Sequence, residues 1–132
     1  MDITSFDDLL SAARSQAEPQ RLLLVFTGAE LPEDSTPAQR EEFAQGQGGV
    51  LVPLMCVDKL PEEVTSFAAL LEESAQFAKD WRLVFAAGIP LSRAMTSEAA
   101  EAPLQTMVES IRRGEHASFI PFDRSGEAVQ LH

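Results

Sequence analysis

Apolar residues recur along this chain in two rhythms, one helical and one strand-like. Phe6, Leu9, Leu10 and Ala13 stand at helical spacing and predict a first helix ending near Ala17. Ser5 precedes it as an N-cap, with Asp8 three positions on as a capping-box acid, and Pro19 closes it. Residues 22–26 are then apolar at every position, the mark of a central strand covered on both faces. Thr27 and Gly28 end that strand.

Residues 29–35 read as a polar, acidic loop. Thr36 caps a second helix, with Pro37 at its first position and Gln39 completing a capping box. That helix has little apolar face beyond Phe43 and stops at Gly46. A turn of Gly46, Gln47, Gly48 and Gly49 leads into a second strand over residues 50–57. Pro53 cannot donate to a ladder, so this strand lies at a sheet edge or carries a bulge.

Pro61 opens what reads as the longest helix, reaching about Lys79 with Val64, Phe67, Ala68 and Leu71 on one face. A third apolar strand follows over residues 82–87 and ends at Gly88, with Trp81 anchoring its start. Within residues 89–101, Thr96 and Ser97 are a cap candidate. Pro103 reads as the first position of a helix carrying Leu104, Met107, Val108 and Ile111, closed by Gly114 after Arg112 and Arg113. Residues 118–122 and 127–131 read as a hairpin about the turn at residues 123–126, with Phe119 and Phe122 packing it onto the sheet.

Helices alternating with apolar strands predict an α/β fold. The expected domain is single, spanning residues 1–132, with a mostly parallel sheet of about five strands and an antiparallel C-terminal hairpin. Ligands bind parallel sheets beyond the carboxyl ends of the strands. The expected site therefore gathers Thr27, Gly28 and Glu30 after the first strand, Cys56, Asp58 and Lys59 at the second, and Ala87 and Gly88 at the third.

Charge narrows the partners. The net charge is −11, with four basic residues against twelve acids in residues 1–66 and six against nine thereafter. Nucleic-acid binding needs a basic face, and only Arg112 and Arg113 adjoin. Neither nucleic acid nor an anionic membrane surface is an expected partner. No apolar run approaches the length of a membrane helix, and acids stand where a signal peptide has basic residues. With a lone Cys56 unable to form an internal disulfide, the expected compartment is the cytoplasm of a bacterium.

Candidate chemistry is sparse. Cys56 would act as a nucleophile only with a positive charge nearby, and an apolar strand raises its pKa instead. The two histidines, His116 and His132, stand far from it in sequence. Glu30, Glu33 and Asp34 lack the alternation of an EF-hand loop. The glycines at 46, 48 and 49 precede a strand, whereas a phosphate loop follows one. No serine elbow is present. Neither a metal nor a cofactor is expected, and a non-catalytic domain that binds a protein partner or itself is the first expectation. A small-molecule binder or minor enzyme working at the strand ends is the alternative.

Three segments carry a resemblance: residues 5–10 (SFDDLL), 53–59 (PLMCVDK) and 119–124 (FIPFDR). With them the chain resembles small proteobacterial proteins labelled "ribonucleotide reductase subunit alpha". The label implies a large radical enzyme with a redox cysteine pair and a third, radical-bearing cysteine. One cysteine in 132 residues matches none of these, so no catalytic residue is carried across. The order of helices and strands is also similar to that of the enhanced-serine-sensitivity protein family, at the level of fold alone.

Overall fold

The structure is a computed structural model that describes residues 3–45, 49–77 and 80–130. Four helices, α1 (Phe6–Arg14), α2 (Pro37–Ala44), α3 (Phe67–Ser74) and α4 (Ser97–Arg112), surround one sheet. Its strands are β1 (Gln20–Glu30), β2 (Val50–Lys59), β3 (Leu83–Pro90) and β4 (Ile120–Phe122), in the spatial order β2-β1-β3-β4. Every pairing is antiparallel. The mostly parallel, five-stranded sheet expected from the alternation of elements is therefore corrected to a four-stranded antiparallel sheet in an α+β arrangement.

The difference lies in where the connections set the chain down. An eight-residue α2 carries the chain about 12 Å. An eleven-residue β1 covers about 36 Å. The helix alone does not span the length of β1, and the chain does not return to the start of that strand. It re-enters the sheet beside the strand it has just left, pairing Val50 with Glu30, and runs back along β1. β3 also opposes β1, on its other side, so β2 and β3 run the same way with β1 between them.

β1 is the central strand expected, and its alternation feeds two cores. Leu22, Leu24 and Phe26 face α1 and α3, joined by Phe6, Leu10, Phe67, Leu70, Trp81, Val84 and Phe122. Leu23 and Val25 face α4, joined by Phe85, Leu104, Met107, Val108 and Ile111. Burying each such side chain is worth roughly 1.5–3 kcal/mol. Covered faces on both sides thus mark the centre of a sheet, whatever the sense of its strands. Phe119 packs against the α4 core and Phe122 lies fully within the other.

Local signals set the helix limits. The Ser5 Oγ accepts from the Asp8 amide at 3.2 Å, while the Asp8 carboxylate turns back to Thr4. α1 stops at Arg14, before Ala17. Thr36 and Gln39 close the reciprocal capping box of α2. The long helix expected from Pro61 is two pieces, a 3-10 turn at Pro61–Glu63 and α3. Ser66, in extended geometry, caps the Ala69 amide and begins the helix afresh. α4 is the longest helix instead, opened by Thr96 with Pro103 inside it. The third strand begins at Leu83 and runs on to Pro90, beyond the expected stop at Gly88.

The second strand answers both expectations raised by Pro53. β2 is an edge strand, and its register slips between Phe26–Met55 and Thr27–Pro53, which leaves Leu54 as the extra residue of a bulge. β2 also extends through Asp58 and Lys59. At the other edge, β4 is shortened to three residues, and the chain turns at Asp123–Gly126 so that Ala128 bridges Phe122. The proposed turn at Gly46, Gln47 and Gly48, the helix end at Lys79 and the strand end at Leu131 lie outside the described residues.

Candidate functional site

The antiparallel sheet distributes the expected site residues to opposite ends. Thr27 and Gly28 do not end the first strand, which runs on to Glu30 beside β2; they lie where its ladder with β3 stops, and the Thr27 hydroxyl is buried and donates to the Leu83 carbonyl at 3.0 Å. Asp58, Lys59, Ala87 and Gly88 align with Leu23, Leu22, Leu23 and Leu22, four to five residues back along β1. Those two groups stand roughly 15 Å apart. Glu30 pairs with Val50 at the Thr27 end. Rules for parallel sheets thus do not gather these side chains into one site.

Asp58 and Lys59 are each engaged by a partner. Arg21 Nη1 donates to Asp58 Oδ2 at 2.7 Å, and the same oxygen accepts from Ser97 Oγ at 2.8 Å. The other Arg21 nitrogens donate to the carbonyls of Ala94 and Met95, at 2.8 and 2.9 Å. This buried arginine, which pattern reading passed over, clamps β1, β2 and the start of α4. Lys59, on the opposite face of β2, pairs with Glu73 of α3 at 2.8 Å.

Cys56 lies opposite Val25, on the face that packs against α4. Burial pushes its thiol pKa up, which disfavours the thiolate. His116 packs on Phe85, which lies opposite Val25 on the other flank of β1. Two strand spacings, about 10 Å, therefore separate the Cys56 and Phe85 positions. Among the described residues, no cluster of three His, Cys, Asp or Glu could hold a metal ion.

A different feature is assembled. A groove of about 250 Å³ runs between β2 and α3, lined by Phe26, Met55, Cys56, Val57, Leu70, Glu73, Ser74 and Phe77. Phe77 at its mouth is 70% exposed and Leu54 on the bulge is 48% exposed. Leu54 lies over Gly28, where an added Cβ would meet its Cδ1 at 3.1 Å.

The groove borders an open edge. No residue of β2 is fully buried, whereas residues 21–28 of β1 all are. Among the described residues, no backbone group outside the sheet hydrogen-bonds to β2. The far edge differs, since the returning chain covers β4.

No protein-family model matches this chain, and neither does any curated protein or solved structure compared with it. The groove's walls are apolar, its one charged wall residue, Glu73, is held by Lys59, and its backbone rim is unpaired. Such a surface can take up a chain segment. It brings no nucleophile, base and electrophile together.

Proposed function

We propose that this chain is a non-catalytic protein-interaction module that docks a partner at the β2 edge. The single observation carrying this reading is the coincidence of an unpaired strand with an apolar groove opening beside it. Unpaired edge amides and carbonyls offer main-chain hydrogen bonds to an added strand, and the adjacent groove offers a seat for alternate side chains. The setting we propose is the cytoplasm, in keeping with a single unpaired cysteine. No helix among the described residues is long and apolar enough to cross a membrane.

The alternative, a small-molecule site, finds less support. A groove of about 250 Å³ falls below the roughly 300–1,000 Å³ of ordinary ligand pockets and lacks convergent polar groups.

Site-specific photo-cross-linking tests the reading. Benzoylphenylalanine in place of Leu54, in the cells that make the protein, is expected to capture a discrete protein. The same group in place of exposed Arg112, at the end of α4, is not. Capture at neither position overturns the proposal, as does the same set of proteins at both.

A further inference from the structure

Resting on that reading, the structure assigns the β2 edge a partner of definite chemistry. We infer that residues 55–59 pair with an extended, basic peptide segment carrying an apolar side chain for the Phe77 groove.

Geometry limits the length. Pro53 has no amide hydrogen, and the Leu54 bulge breaks the ladder beside it. The edge is thereby divided into residues 50–52 and 55–59, and only the second stretch borders the groove. An added strand of about five residues, spanning about 17 Å, is what this stretch can pair. Strand alternation then directs every second side chain of the segment towards the side of Met55, Val57, Leu70 and Phe77.

Charge identifies the segment. Between residues 30 and 77, the part of the chain that forms β2 and its flanks, ten acids stand against two basic residues. Both basic residues are engaged: Lys59 with Glu73, and Arg40 with the carbonyls of Glu33 and Ser35. From residue 78 to the C-terminus the balance is seven acids to six basic residues. The acidity thus concentrates in the stretch of sequence that supplies β2 and its neighbours, where, among the described residues, Asp58 alone is paired with an arginine, Arg21, from outside it. Lysine or arginine on a docking strand would meet the exposed Glu72 and Glu62 as counter-charges, whereas Glu73 is paired with Lys59 and Glu63 accepts from the Leu60 amide. A second copy would bring the same acids to the same place, so self-pairing along β2 is opposed by repulsion.

A fluorescein-labelled peptide alternating lysine with valine or leucine is the probe, set against the same peptide with glutamate for lysine. The lysine peptide is expected to bind at least about tenfold more tightly by fluorescence anisotropy, weakening as salt rises. Hydrogen exchange on the full chain is expected to slow at residues 55–59. Phe77→Ala, on an exposed side chain, is expected to weaken binding about tenfold with an unchanged circular dichroism spectrum. Equal binding of the glutamate peptide overturns the basic-partner inference, as does protection elsewhere, or no binding while the residue-54 cross-linker captures a protein. The interaction reading stands in each of those cases. No binding with no cross-link fells both. A dimer by sedimentation equilibrium, with residues 55–59 protected without peptide, overturns the inference in favour of a second copy.

Discussion

Arg21 and Asp58 form a 2.7 Å ion pair across β1 and β2, with side chains only 6% and 15% exposed. Three strong bonds from one guanidinium hold two strands and the start of α4 together. Arginine suits this place because its planar fork supplies fixed donors in several directions at once.

Removing one member should cost more than removing both. Asp58→Ala leaves the Arg21 charge buried and short of one partner, with an expected loss of about 3 kcal/mol. Arg21→Met should cost as much, since two carbonyls and a carboxylate lose their donor. The double variant Arg21→Met, Asp58→Leu should recover part of either loss. Urea midpoints with a constant slope measure all three. Losses that simply add would show that the two side chains do not act as a pair.

A second buried polar contact ties α3 to the start of β3. Trp81 Nε1 donates to Ser74 Oγ at 2.9 Å, and that hydroxyl donates to the Leu71 carbonyl at 2.8 Å. Ser74→Ala leaves the indole N–H without its partner and should cost about 1–3 kcal/mol. Tryptophan emission should change in the native state, because Trp81 is the only such fluorophore. Stability within about 0.5 kcal/mol of the parent would show that the hydroxyl is dispensable.

What the sequence shows of this fold is what local chemistry decides. The caps at Ser5, Thr36 and Thr96, the central strand at residues 22–26 and the edge character of Pro53 each rest on a few neighbouring residues. The sense of the strands does not. It depends on where a connection sets the chain down, and after α2 the chain re-enters beside the end of β1, pairing Val50 with Glu30. Ser66 was a readable N-cap hidden behind Pro61. Of the candidate site residues, Cys56, Asp58 and Lys59 share β2, but only Cys56 lines the groove, while Asp58 and Lys59 are held in ion pairs with Arg21 and Glu73. Arg21 looks like a polar flank to an apolar run, and its partners at 58, 94 and 95 are remote in sequence. Phe77 and Leu54 matter through the edge they border, which only sheet order reveals.

Gly126 is required where the C-terminal turn meets α1 and α3. Its φ is +85°, and an added Cβ would lie 2.8 Å from Phe67 Cδ2. Its carbonyl also accepts from the Phe6 amide at 2.7 Å. Gly114 shares the positive φ, at +80°, but an added Cβ there meets nothing within 4 Å. Gly114→Ala should therefore cost only the backbone strain, about 1 kcal/mol, and Gly126→Ala about 1–3 kcal/mol more from overpacking. Equal losses in thermal melts would show that the Phe67 contact yields freely.

The same turn sets an acid limb to stability. Burial pushes the Asp123 carboxyl up, but hydrogen bonds from the Ser125 hydroxyl and the Glu127 and Ser125 amides outweigh it and hold it below 3.8. A lowered folded pKa stabilises the fold above the unfolded value and ceases to do so as pH falls through the folded one. Asp123→Asn should then be destabilising at pH 7 by about 1 kcal/mol. The gap should close below pH 3.8. A gap that stays constant down to pH 2 would assign the effect to shape alone.

Pro53 guards the edge on which the functional reading depends. It removes one ladder donor from β2, and the neighbouring bulge keeps the strand from presenting an uninterrupted pairing surface. Pro53→Val would turn residues 50–57 into a continuous apolar, β-prone run with a complete set of outward groups. Monomer stability should change by less than about 1 kcal/mol, since an edge position supports little packing. Association should rise instead, and most steeply near the isoelectric point of about 4.5, where the repulsion from a net charge of −11 is lost. Light scattering against pH, for parent and variant at matched concentration, reads this directly. Overlapping curves would mean that the β2 edge is shielded by something other than Pro53 and its bulge, and would weaken the case that a partner strand can reach it.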